Sequence, residues 1–290
     1  MANTITLKRR IGSVRNTRQI TKAMELVAAS KMRRAQERAL SGRTYREFAY
    51  SLLTRLSAIT EVSEHPLFVK RTIKKRLYVV ITSNGTLAGA YNANIIRMLT
   101  RAIIQDQKDG IKSQVIAVGK QGAKFVRRVE GIDLIAAYTD LPDGPDANDI
   151  RPILNTMVQL YRSKEIDDVQ VFFTQFKSNL VQEATALPLL PARFEATEEV
   201  DHALDNTTFE PSIEVVLDSV TDRLLEVQVW QALLESLASE HSMRMMAMKS
   251  ASDNANDIID DLTLEFNTAR QSAITQELAE ITGGAEAIQQ

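Results

Sequence analysis

From Ser212 to Thr282 the chain runs 71 residues without a glycine or a proline. No ordinary globular helix approaches that length, and an unbroken helix of this kind would extend roughly 105 Å at 1.5 Å per residue. Such a stretch folds as one strand of a coiled coil or as an extended strut. A second breaker-poor run opens the chain: Met1 to Glu64 holds no proline, and Gly12 and Gly42 are its only glycines. Nearly all the punctuation lies between these runs, from Pro66 through Gly85, Gly89, Gly119, Gly122 and Pro145 to Pro211.

The apolar spacing agrees with two helical ends. Ile213, Leu217, Val220, Leu224 and Val227 step by 4, 3, 4, 3, and Ala255, Ile259, Leu262, Phe266, Ala269 and Ala273 continue in that rhythm. That is a coiled-coil seam, with Asp257, Asp260, Asp261 and Glu265 on the outward positions. The N-terminal run is less regular. Leu7, Ile11 and Val14 form one stripe, while Ile20, Met24 and Val27 form another, out of phase with the first. Ala28, Ala29, Ala35 and Ala39 would let a partner helix approach closely. Met243, Met245, Met246 and Met248 read as adaptable core packing against another helix.

Charge divides the same way. The net charge of −2 hides +13 over residues 1–76, zero over 77–197 and −15 over 198–290. A basic N-terminus carrying Arg9, Arg10, Arg15, Arg18, Lys22, Lys31, Arg33, Arg34 and Arg38 has three readings: phosphate contact as in a DNA-entering helix, a transit peptide, or pairing with the acidic C-terminal helix. Pairing explains both ends at once. In a zipper-type DNA binder the basic region runs straight into the heptads, whereas here more than a hundred residues intervene, so no nucleic-acid partner is expected.

Those intervening residues read as α/β. Arg76 to Thr82 is a short apolar run ended by Ser83-Asn84-Gly85, which predicts a buried strand. An amphipathic segment with Ile95, Ile96, Leu99, Ile103 and Ile104 predicts a helix. Strand-like Val115–Val118, a short helix with Phe125 and Val126, strand-like Leu134–Ala136, a helix through Ile153, Met157 and Leu160, and strands at 169–174 and 185–189 follow. The expected fold class is α/β. It combines a long antiparallel two-helix coiled coil, formed by the N- and C-terminal helices, with a central Rossmann-like α/β domain carrying a mostly parallel sheet. The expected division is 1–64 for the first coiled-coil helix, 65–211 for the globular domain and 212–290 for the second helix.

Several kinds of chemistry are excluded or unsupported. Zero cysteine rules out disulfides, thiolate metal sites and thiol nucleophiles. The longest charge-free stretch, Leu77 to Ile96, contains Ser83, Asn84, Gly85, Asn92 and Asn94 and cannot cross a bilayer. Gly85–Gly89 and Gly119-Lys120-Gln121-Gly122 follow strands, yet neither completes a phosphate-binding fingerprint, so tight strand-to-helix turns are expected there. A nucleotide-binding α/β protein with helical interaction arms is the alternative those loops leave open. His65, His202 and His241 are scattered and read as surface histidines, and no catalytic, cofactor or metal residue stands out.

Three long motifs resemble one family. Ile11 to Met32 (IGSVRNTRQITKAMELVAASKM) is similar to the N-terminal motif of the γ subunits of F-type ATP synthases, of the bacterial type. Ser239 to Lys249, continuing through Asp253-Asn254-Ala255, resembles their C-terminal signature, and Asn267 to Leu278 their terminal segment. Because so few residues precede the first motif, no presequence is expected. The turn Ser83–Ala90 departs from the family's usual Ser-Asp-(Arg/Lys)-Gly-Leu-Cys-Gly-Gly, and Ser242-Met243 stands where the family commonly has two alanines. The cysteine-bearing insertion of chloroplast forms is absent.

The resemblance implies a central rotor stalk without catalysis of its own. Its partners would be a ring of three α and three β subunits, the ε subunit and the membrane ring of c subunits. Its place would be the cytoplasmic face of a bacterial plasma membrane, reached only through the complex. By position, Lys22, Met24 and Glu25 would meet the moving loops of β, and Arg244, Arg270, Gln271 and Thr275 would lie on the C-terminal side of that coupling surface. Ile274, Leu278 and Ile281 would sit in an apolar bearing at the top of the ring. The resemblance implies no cofactor.

Overall fold

The computed structural model describes residues 4–57, 65–142, 144–192 and 212–288, with side chains for 4–39, 65–142, 144–192, 212 and 214–282. In chain order the elements are α1 (Thr4–Ser57), β1 (Lys75–Ile81), α2 (Tyr91–Lys108), β2 (Lys112–Val118), α3 (Lys120–Val126), β3 (Asp133–Tyr138), α4 (Ala147–Arg162), β4 (Asp168–Phe176), β5 (Gln182–Leu190) and α5 (Ile213–Ile288). The two breaker-poor runs are therefore the two long helices, and α5 spans 76 residues. The chain divides into two compact units, Met1–Ala28 with Arg244–Gln290, and Ala29–Met243.

In the first unit the start of α1 lies antiparallel to the end of α5. Arg18 Nη1 donates to Asn256 Oδ1 at 2.8 Å, and the cleft beside this bond runs from Arg18 to Leu26 on α1 while it runs from Asn256 back to Ser252 on α5. The seam on α5 follows the predicted rhythm through Ser252, Ala255, Ile259, Leu262, Phe266 and Ala269, all buried or half-buried. Ala273, predicted to continue it, is exposed. On α1 the seam is a single heptad stripe through Leu7, Ile11, Val14, Arg18, Thr21, Glu25 and Ala28.

Of the second stripe expected on α1, only Met24 is half-buried. Ile20 and Val27 stand 61% and 55% exposed. A facing helix needs a 3.5-residue repeat held in one phase, and the phase set by Leu7, Ile11 and Val14 runs on to the small residue Ala28. Keeping that phase places Arg18, Thr21 and Glu25 inside and turns the more apolar Ile20, Leu26 and Val27 outward. The expected ion pairing of the two ends is also not found among the described residues. Among the described residues no ion pair joins Arg9, Arg10, Arg15 or Arg18 to Asp257, Asp260, Asp261 or Glu265, and the Arg18 guanidinium donates instead to the neutral Asn256.

The second unit is built on a five-stranded sheet ordered β3-β2-β1-β4-β5. Its first four strands pair in parallel, and β5 closes the edge antiparallel to β4. Pro188, which cannot donate to a ladder, lies in that edge strand, where one side needs no donor. One face packs Leu77, Val79 and Ile81 against Ile153 and Met157 of α4 and Leu225, Val229 and Leu233 of α5. The other packs Tyr78, Val80 and Phe172 against Ile95, Leu99 and Ile103 of α2. α5 is buried on nearly all sides between Thr221 and Ser242, more than a two-position seam would require.

One charged network lies inside this unit. Asp106, wholly buried on α2, pairs with Arg76 and accepts from Tyr78 Oη at 2.6 Å and Ser113 Oγ at 2.9 Å. Arg76 Nε reaches on to Asp168 at 2.7 Å. Burial, then the bond to Asp106, holds the Tyr78 hydroxyl well above its ordinary pKa, so it remains a donor. The histidines are not at the surface as expected: His241 is buried, and the His65 side chain is nearly so, with Nε2 2.9 Å from Asp218. His202 lies outside the described residues. Of the four clustered methionines Met248 is buried, Met243 and Met245 are half-buried, and Met246 is exposed.

Candidate partner-coupling surface

The residues singled out by position all belong to the first unit. Lys22 and Glu25 face each other one turn apart on α1, with Lys22 Nζ 3.0 Å from Glu25 Oε2. Lys22 stands out to solvent while Glu25 occupies the seam, so the pair ties an outer-face charge to an inner one. Met24 is half-buried between them. A cleft of about 490 Å³ opens beside Lys22, lined on α1 by Arg18, Gln19, Ala23 and Leu26 and on α5 by Ser252, Asp253 and Asn256. Arg244 is half-buried at the head of the unit's α5 segment.

Arg270, Gln271 and Thr275 lie elsewhere. From Arg270 to Thr282 every residue of α5 is exposed, past the last seam position at Ala269. Thr275 Oγ1 donates to the Gln271 carbonyl at 3.0 Å, a local helix contact. Ile274, Leu278 and Ile281 share one flank at the 4, 3 spacing and stand 48%, 58% and 68% exposed. The structure thus sorts the predicted residues into Lys22, Met24 and Glu25 near the Arg18–Asn256 bond, Arg244 at the head of the α5 segment, and a group at the far end of α5. From Arg244 to Arg270 is about 39 Å along the helix.

The glycine loops of the α/β unit have a structural explanation. At the N-terminus of α3 the backbone N–H of Lys120 donates to Asn84 Oδ1 at 3.0 Å, that of Gln121 to the Ser83 carbonyl at 3.1 Å, and that of Gly122 to Thr82 Oγ1 at 2.9 Å. The donors a phosphate would need there are taken by the turn after β1. Gly119 has a φ of 98° and lies against the Thr82 carbonyl, where a Cβ could not fit. The atypical turn at 83–90 therefore keeps a contact of its own: Asn84 caps α3, and Asn92 Oδ1 accepts from the Ser83 N–H at 3.0 Å. No described helix is long and apolar enough to cross a membrane.

A family model described as ATP synthase matches residues 3–288. An ATP synthase gamma chain from Acidithiobacillus ferrooxidans is 42% identical over 289 residues, covering 99% of this chain and 100% of that one. The chain belongs to the ATP synthase gamma chain family. A gamma chain from Heliobacterium modesticaldum is 41% identical, with 97% and 98% of the two chains covered. In fold, the chain is similar to one from the mitochondrial ATP synthase of Euglena gracilis, with a TM-score of 0.69 and 18% identity over 98% of this chain and 94% of that one. A chain from the central stalk and c-ring structure of the Tetrahymena thermophila enzyme gives a TM-score of 0.63 at 24% identity, covering 80% and 99%.

For this gamma chain, sequence reasoning missed the polar section of the seam. Arg18, Thr21 and Glu25 were legible as residues at strict heptad spacing from Leu7, Ile11 and Val14. The brighter apolar signal of Ile20, Met24 and Val27 masked them. Ile258 and Leu264, exposed at 48% and 71% on α5, add outward-facing apolar area that the seam pattern does not announce.

Proposed function

We propose that this gamma chain is the central rotor stalk of an F-type ATP synthase. It couples ion-driven rotation of the membrane c ring to ATP synthesis and hydrolysis in a ring of three α and three β subunits. It performs no catalysis itself; the nucleotide sites lie on β, and ε and the c ring meet its globular part. Residues 1–64 and 212–290 serve as the arms of the shaft, and 65–211 as the globular domain. The end-to-end match to gamma chains carries this reading.

Mechanically, the shaft acts by differential contact. A rotor shifts the affinity of a β site only if its surface binds one β conformation better than another. Lys22, Met24 and Glu25 supply such a surface near the polar part of the seam, with Arg244, Arg270, Gln271 and Thr275 along α5. Ile274, Leu278 and Ile281 supply the apolar bearing. Their exposure in the chain alone fits groups that are covered only on assembly. The occupied N–H groups of α3 weigh against the nucleotide-binding alternative. Association with the cytoplasmic face of a bacterial plasma membrane then comes through the complex.

Copurification tests this directly. A tagged chain expressed in its own cells should bring down α, β and ε, and with α and β it should restore cooperative ATP hydrolysis that the isolated chain lacks. Recovery as a lone monomer, or tight ATP binding by the isolated chain in calorimetry, would overturn it.

A further inference from the structure

α5 carries Ser236, Ser239 and Ser242 at three-residue intervals, each without exposed surface. That spacing keeps the three on one flank of the helix. A serine inside a helix commonly returns its hydroxyl to a carbonyl one turn earlier. These three reach across to the sheet instead. Ser236 Oγ shares a 2.7 Å hydrogen bond with Tyr91 Oη and accepts from the Thr174 N–H at 3.3 Å. Ser239 Oγ donates to the Thr174 carbonyl at 3.1 Å. Ser242 Oγ donates to the Asn179 carbonyl at 3.0 Å and accepts from Gln182 Nε2 at 3.1 Å. Gln182 Nε2 also lies within hydrogen-bond reach of the carbonyls of Ser178 and Asn179, sharing its two hydrogens among the three acceptors, so the turn between β4 and β5 is braced from within.

The sheet explains why serines are needed there. The pairing of β1 with β4 ends at Val80 and Phe172, while β4 continues to Phe176. Beyond Phe172 the side of β4 that faced β1 has no strand beside it, and its buried N–H and C=O groups must still find partners. At Thr174, Ser236 and Ser239 stand in for the missing strand. Ser242 adds a rung at the hairpin turn.

We propose that Ser236, Ser239 and Ser242 form a hydrogen-bonded clutch that fixes the rotation of α5 about its own axis against β4 and β5, and that they are positioning residues for torque entering the shaft helix. The proposal rests on the rotor reading. The apolar contacts of Leu225, Val229 and Leu233 hold the helix to the sheet by buried area, which has no direction of its own. The serine bonds are directional, and a helix rolled by one residue loses all of them. α5 then continues unbroken to Ile288, so a rotation fixed at Ser236–Ser242 is carried along a single element.

The test compares wild type with the triple variant Ser236→Ala, Ser239→Ala, Ser242→Ala in the complete complex, reconstituted into vesicles. ATP hydrolysis and ATP-driven ion uptake are measured on the same preparation, together with the angular fluctuation of a probe on the α/β unit when the ring is stalled. Hydrolysis should persist, ion uptake per ATP should fall about twofold or more, and the fluctuation should widen. Restoring Ser239 alone should recover part of the coupling. An unchanged uptake ratio and fluctuation width would overturn the clutch. Should the triple variant fail to fold, Ser242→Ala alone removes the outer rung and must still widen the fluctuation. Should the wild-type chain fail to assemble with α and β, the rotor reading falls. The contact itself is then judged by hydrogen exchange on the full isolated chain, where Ser236→Ala must accelerate exchange at the Thr174 N–H.

Discussion

Asp106 shows at the residue scale how a charge is held inside this chain. It has no exposed surface, and Arg76, Tyr78 and Ser113 all address its carboxylate. Breaking a buried pair by removing one partner leaves the other uncompensated, so Asp106→Ala should destabilise the chain by about 3 kcal/mol in denaturant unfolding. Asp106→Asn, which keeps the volume and one acceptor, should cost less. A second pair gives a pH signature. Hydrogen bonding from His65 holds the Asp218 carboxyl below its usual range, with Arg162 adding to the effect. Burial pushes Asp222, one turn further along α5, upward against the pull of Arg162, whose Nη2 stands 3.6 Å from Oδ1 without a hydrogen bond. The signs therefore oppose. Asp218 contributes stability above the ordinary carboxylate pKa, which is lost as pH falls through its lowered value. The charge on Asp222 opposes folding at neutral pH, and that penalty lifts as pH falls through its raised value. In thermal unfolding at pH 7, Asp218→Asn should lower the Tm and Asp222→Asn should hold or raise it. As the pH falls, the Asp222 difference should fade first, by the ordinary carboxylate range, and the Asp218 difference should persist below that range.

At the scale of elements the seam is the informative part. The alternation of α5 at Ala255, Ile259, Leu262, Phe266 and Ala269 appears in the structure as written in the sequence, because a heptad pattern records which side of a helix is dry. α1 carries two competing patterns, and its own sequence does not rank them. The polar layers it buries fix register, since a seam slipped by a heptad would part Arg18 from Asn256. With no native cysteine to interfere, cross-linking reads that register cleanly. Thr21→Cys with Ser252→Cys should form a disulfide in the full chain, whereas Thr21→Cys with Ile259→Cys should not. Adding Arg18→Leu and Asn256→Leu should raise thermal stability while letting the second pair react. Failure of the first pair to cross-link would refute the register.

For the whole molecule the question is where the opposite charges of the two ends go. The total of −2 is a cancellation of +13 and −15, and the described residues do not spend those charges on ion pairs between Arg9, Arg10 or Arg15 and the acids of α5. Replacing Arg9, Arg10 and Arg15 together with Glu should therefore leave the melting of the isolated chain within the roughly 0.5 kcal/mol usual for surface changes. The same replacements should weaken assembly with α and β in a pull-down. Compensating changes at Asp257, Asp260 and Asp261 should give no rescue; a clear rescue would mean that the helices pair through charge after all.

What the sequence determined by itself is what chain-local physics can write. The absence of glycine and proline set the two long helices, the short apolar runs ended by turn residues set the strands, and three uninterrupted motifs set the family. The same motifs singled out Lys22, Glu25, Arg270 and Ile274 as candidates. Only the tertiary structure decided which face of α1 is buried, why α5 is enclosed from Thr221 to Ser242, and what Ser236, Ser239 and Ser242 bond to. Periodicity marks a face, but burial depends on what stands opposite it, and the end of β1 that leaves Thr174 needing partners is remote in sequence from the serines that meet it.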